Sequence, residues 1–194
     1  LYVCLITSNR ATQLQMLALR CTAWFDTEGK KDKTFGIQFP VSGLLQGRRF
    51  PTRDNPEVLQ RLINAAQRQL AIVGPAKGEQ QRMSVQDAKG VEAHLGYADG
   101  ILTYELKIPL RKSKEQPYAI DADITKALLV GFETGDLAEA MRGQPAISNP
   151  SQSAGGRGRG AARGGGGGAG VGIDMPEPLK HWITVHLSTG SSAK

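Results

Sequence analysis

The chain has 194 residues, 40% of them hydrophobic, enough to bury one sizeable core, so a single domain over residues 1–194 is expected. Half of the formal charge of +6 falls on Arg157, Arg159 and Arg163, in a stretch without acids, and the rest of the chain is only mildly basic. No run of 18 apolar residues occurs, which excludes a membrane-spanning helix.

In chain order, LYVCLIT (1–7) is apolar on both alternating faces, which predicts a strand covered on each side and placed centrally in a sheet. ATQLQMLALR reads as a short helix or a loop with Met16 and Leu17 buried. CTAWFD alternates Cys21, Ala23 and Phe25 against Thr22, Trp24 and Asp26 and ends at the turn-forming DTEGKKDK. TFGIQFP follows with Phe35, Ile37 and Phe39 on one face, so the two segments form a hairpin.

From Asn55 the period becomes helical. Asn55 caps, Pro56 suits the first turn, Glu57 favours the positive end, and Leu59, Leu62, Ile63, Ala66 and Leu70 make an apolar stripe, predicting a helical insertion over 55–73. Sheet periodicity returns in VEAHLGYADG and GILTYELKIPL, and Asp99-Gly100 between them is a hairpin signal because both turn residues must accept positive φ. ALLVGFETG is a mostly apolar strand. HWITVHL sets Ile183, Val185 and Leu187 opposite Trp182, Thr184 and His186, and STGSSAK reads as a frayed end.

Between those last two strands lies AGGRGRGAARGGGGGAGVG (154–172), the centre of a flexible low-complexity loop over 135–175. Only a framework that tolerates a very long surface loop accepts such an insertion. The expected fold is therefore all-β: an antiparallel, jelly-roll-like β-sandwich with one helical insertion and a long Gly/Arg-rich loop. The two cysteines, Cys4 and Cys21, fall in strand-like segments and are read either as one disulfide or as two buried free thiols.

The order LYVCLIT, CTAWFD with its DTEG turn, TFGIQFP, GILTYELKIPL, ALLVGFETG and HWITVHL resembles the family 9 carbohydrate-binding modules and the related DOMON-like sandwiches. In that family a "LYV" strand precedes one ending in an aromatic-Asp pair, and a later strand reads "YE-x-x-IP", matched here by Tyr104, Glu105, Ile108 and Pro109. The resemblance covers most of the chain outside the Gly/Arg tract. It implies a non-catalytic, extracytoplasmic (periplasmic, cell-surface or secreted) bacterial module that recognises carbohydrate or another cell-surface component. Two departures accompany it. Family members carry one or two strands ahead of "LYV", so the chain is expected to be incomplete at its N-terminus, or its sheet to be completed by another segment. Neither tryptophan maps onto the sugar-clasping tryptophans of the family.

Trp24 and Trp182 have strand parity opposite the presumptive core residues, so each either stacks on a pyranose ring or packs beneath the helix or the insertion. With Tyr104 they are the candidate ligand contacts. Asp26, Glu28 and Asp32 share one turn and are weak candidates for a hard cation, opposed by Lys30, Lys31 and Lys33. His181 and His186 point to opposite faces of one strand and cannot form a ligand pair, and His94 shares a face with Glu92. HExxH, CxxC and GxSxG are absent, the one GxGxxG match (from Gly165) follows no strand, and neither a catalytic group nor a cofactor is expected. Two rival readings stand beside the binding module. One is a self-assembling surface protein whose sheet edges are completed by neighbouring chains. The other binds a polyanion or nucleic acid through Arg157, Arg159 and Arg163, although that tract has no interleaved Phe or Tyr for stacking.

Overall fold

A computed structural model describes residues 1–41, 56–74, 79–136 and 177–188. The described chain is built on nine strands: β1 (Tyr2–Thr7), β2 (Cys21–Asp26), β3 (Phe35–Gln38), β4 (Gln69–Val73), β5 (Gln80–Ser84), β6 (Glu92–Ala98), β7 (Ile101–Lys107), β8 (Ala127–Thr134) and β9 (Lys180–His186). Two helices, α1 (Arg10–Ala18) and α2 (Pro56–Ala66), join them. All strand pairs are antiparallel. They form a three-stranded sheet in the order β1-β7-β6 and a six-stranded sheet in the order β5-β4-β3-β2-β8-β9.

One hydrophobic core lies between the sheets. Ala23 and Phe25 from β2, Ile37 from β3, Leu70 from β4 and Leu128, Val130 and Phe132 from β8 meet Leu95 from β6 and Leu102, Tyr104 and Leu106 from β7. The Tyr104 ring sits 5.9 Å from Phe39 and 6.1 Å from Phe132, edge-on to the latter, which sets β7 across the middle of the larger sheet. These are the apolar faces that the alternating segments assign.

The expected hairpins form. β2 and β3 pair around the 27–34 turn, and β6 and β7 pair around Asp99 (φ 50°) and Gly100 (φ 78°), the positive values that a tight hairpin demands. β8 and β9 pair although the long loop separates them. Thr134 and Leu179 are tied by two hydrogen bonds, Leu179 N to Thr134 Oγ1 at 2.9 Å and Thr134 N to Leu179 O at 3.0 Å. The loop thus leaves and re-enters at neighbouring points of one sheet end, where extra length adds little closure cost. Asn55 and nearly all of the expected 135–175 loop, with Arg157, Arg159 and Arg163, lie outside the described residues.

Two local expectations need correction, one open alternative is decided, and one strand lies where none was expected. The helix does not run through 73: α2 ends at Ala66 and Gln69–Val73 is β4. Leu70 satisfies the helical stripe and also alternates with Ala71 in a strand, so a period count does not separate the two there. The ambiguous ATQLQMLALR is helical, capped by Asn9, whose Oδ1 accepts from Thr12 N at 3.0 Å, with Met16 and Leu17 fully buried. β5, in the polar QQRMS, carries no apolar alternation and is a strand through its pairing with β4. Last, β1 is an edge strand and not a central one, since among the described residues it pairs with β7 alone. Its outer face leaves Tyr2 77% and Ile6 63% exposed.

The cysteines are both free. Cys4 is exposed on the outer face of β1, and Cys21 is buried on the inner face of β2. Burial in apolar surroundings raises the Cys21 pKa to about 12.

Candidate functional site: an aromatic row on the larger sheet

Strand parity turns Trp24 and Trp182 to the face of the six-stranded sheet opposite the core, and register puts them in one row. Trp24 stands across from Gly36 on one side and Gly131 on the other, and Gly131 stands across from Trp182. The row therefore reads Gly36, Trp24, Gly131, Trp182 over β3, β2, β8 and β9. With one strand between them, the tryptophan backbones are about 9.6 Å apart, twice the strand spacing.

The glycines explain how bulky rings fit side by side. A Cβ at Gly131 would stand 2.7 Å from Cδ2 and Cε2 and 2.8 Å from Cε3 of Trp182. Three ring atoms at near-equal distance mean that the indole presents its face, not its edge, to the glycine. A Cβ at Gly36 would likewise meet Cε3 of Trp24 at 2.7 Å. Each indole leans onto a glycine of the neighbouring strand, and both lean the same way, so their separation is kept. Both side chains are half-buried.

The adjacent row, Gln38, Thr22, Glu133 and Lys180, supplies the charge. Glu133 Oε2 accepts from the Trp24 indole Nε1 at 3.1 Å and from Lys33 Nζ at 2.6 Å. Lys33 also stands 6.0 Å above the Trp24 ring. Burial alone would push the Glu133 pKa up. The Lys33 hydrogen bond and charge, the Trp24 N–H and the charge of Lys180 outweigh it and hold the carboxyl below its usual range. Glu133 is thus an anion at neutral pH that fixes the Trp24 ring on one side and the Lys33 ammonium on the other. Lys180 faces Glu133 in register but makes no ion pair among the described residues.

Of the expected contacts, the structure brings Trp24 and Trp182 together and removes Tyr104. Tyr104 is fully buried, and its hydroxyl has no hydrogen-bond partner among the described residues. Its strand parity, shared with the buried Leu106 and Ile108, places it on the core face. Asp26, Glu28 and Asp32 do share a turn, but their oxygens are engaged locally. Asp26 accepts from the backbone N–H of Glu28 at 2.7 Å and of Asp32 at 3.2 Å, while Glu28 pairs with Lys30 at 2.6 Å. Burial works against ionisation of Asp26, but the backbone donors of Glu28, Asp32, Lys31 and Lys30 prevail and lower its pKa. This carboxylate organises the turn that delivers Lys33. Among the described residues no group of three His, Cys, Asp or Glu side chains is placed to hold a metal ion. His94 Nδ1 stands 3.5 Å from Glu105 Oε2, and Glu92 forms a cross-strand ion pair with Lys107 at 2.7 Å, so the His94–Glu92 face is laid out in cross-strand polar pairs.

Sequence reading missed Glu133, Lys33 and Lys180 as members of the site. The parity of Gly131 and Glu133 in ALLVGFETG was available, but which strands flank β8 is a tertiary fact. No family model, no curated protein and no solved structure matches this chain.

Proposed function

We propose that this protein is a non-catalytic binding module, an antiparallel jelly-roll-like sandwich of the family 9 or DOMON-like kind, that recognises carbohydrate outside the cytoplasm through the Trp24–Trp182 row. One observation carries the reading: two half-buried indoles lie in register on a non-core sheet face, and the Trp182 ring lies face-down on a glycine. A ring in that pose turns its opposite face away from the sheet, the orientation from which an aromatic platform stacks on the C–H face of a pyranose. Glu133 and Lys33 offer hydroxyl-binding groups beside it. No helix among the described residues is long and apolar enough to cross a membrane.

Calorimetric titration with a panel of neutral and acidic oligosaccharides tests this. Binding of at least one sugar is expected, with loss in Trp182→Ala and weakening in Trp24→Ala. A panel with no bound member, or binding undiminished in both variants, overturns it.

The open edge of β1 favours a second reading, assembly through strand addition by a neighbouring chain. β1 carries no charge and no proline, the usual guards of an edge, and Ile183 on the inner face of edge strand β9 is 41% exposed. Sedimentation across a concentration series decides it, since a monomer at every concentration removes self-assembly. The polyanion reading is tested by deleting residues 154–172: binding to heparin or RNA that survives the deletion removes that mechanism.

A further inference from the structure

Resting on the carbohydrate reading, we infer that the sugar held on Trp182 is an acidic one, a uronate whose carboxylate is met by Lys180. Lys180 and Trp182 are two residues apart on the same strand, so both rise from the same face of β9 about 7 Å apart along the strand. That backbone spacing puts a long, flexible lysine side chain beside the indole, where its ammonium can meet a carboxylate carried by a ring stacked there.

The charges around the row point the same way. Among the described strand and turn residues of this row, two lysines, Lys33 and Lys180, flank one carboxylate, Glu133, and the Glu133 oxygen nearest Lys33 is already committed to that ammonium and to the Trp24 N–H. Asp26, the other acid that the described strands place on this face, is buried and engaged by backbone donors. Among the described residues the two ammonium groups thus outnumber the one carboxylate between them, and Lys180, which interacts with Glu133 only through space and not in an ion pair, is the cation next to Trp182. A neutral sugar makes no use of it. An anion without a ring face makes no use of Trp182. A uronate uses both.

The preference also divides the two tryptophans. Lys33 stands over Trp24, so that ring is already engaged by a cation, whereas Trp182 has none of the described lysines over it. Trp182 is the stacking residue, and Trp24 with Glu133 and Lys33 forms the wall beside it.

The test compares an oligogalacturonate with its methyl ester, which keeps the ring and removes the charge, by calorimetric titration at low and high salt. The acid is expected to bind at least about tenfold more tightly than the ester, with the advantage shrinking as salt rises. Lys180→Ala is expected to lose about tenfold for the acid and nothing for the ester, Lys180→Arg to restore most of the loss, and Trp182→Ala to abolish binding of both. Equal affinity for acid and ester, or an unaffected Lys180→Ala, overturns the uronate assignment and leaves the carbohydrate reading standing. Acid binding that persists in Trp182→Ala shows diffuse charge attraction and overturns the assignment too. A protein that binds neither these compounds nor any neutral sugar loses both.

Discussion

Trp182 lies face-down on Gly131 of the neighbouring strand, and the fit leaves no room for a methyl group between them. Gly131→Ala is therefore expected to lift the indole and strain β8–β9 pairing, costing about 1–3 kcal/mol, as overpacking does. Urea denaturation gives the cost, and Trp182 fluorescence reports the displacement. A variant as stable as the parent with unchanged emission refutes the contact.

Glu133 gains its low pKa in the folded state from Lys33 and Trp24, which fixes the sign of its pH effect. A depressed folded value means a stabilising contribution that is complete above the unfolded pKa of about 4.3 and is lost as pH falls through the folded pKa. The pair is partly solvated, so Glu133→Gln is expected to cost only about 1 kcal/mol at pH 7 and progressively less at an acid pH at which the folded carboxyl is protonated. Parallel denaturation curves at the two pH values check this. A cost that does not change with pH would show that charge is not its origin.

Asp26 follows the same rule by a different route, since backbone N–H groups and not a cation lower its pKa. Asp26→Ala leaves those donors without their acceptor and is expected to cost about 1–3 kcal/mol at neutral pH, again fading in acid. Amide exchange should quicken at Glu28 and Asp32. Protection unchanged at those two amides would contradict the hydrogen bonds described.

Tyr104 buries a hydroxyl without a partner among the described residues, between Phe39 and Phe132. Tyr104→Phe is expected to be neutral or to stabilise by up to about 1 kcal/mol. A loss beyond about 1 kcal/mol would reveal a partner for the hydroxyl.

The thiols give a direct check on the fold. Cys4 is exposed and Cys21 is buried with its pKa raised to about 12, so a thiol reagent should modify one cysteine in native protein and both in denaturant. Modification of both at equal rates under native conditions would place Cys21 elsewhere.

What the sequence by itself determined is local. Alternation marked seven of the nine strands, Asp99-Gly100 marked its hairpin, and the parity of Trp24 against Phe25 and of Trp182 against Ile183 put both indoles away from the core, because these features follow from φ/ψ preference and a two-residue period. The helix overshot at Leu70 because that residue satisfies two periods, and β5 went unseen because pairing with β4, not composition, makes it a strand. Only the tertiary structure decided that β1 lies at an edge and that β8 runs between the two tryptophans. It also decided that Glu133 joins Lys33 to Trp24 across 100 residues of chain. Strand order and register arise from long-range burial and hydrogen bonding, and the side chains they bring together carry no mark of one another in a linear sequence.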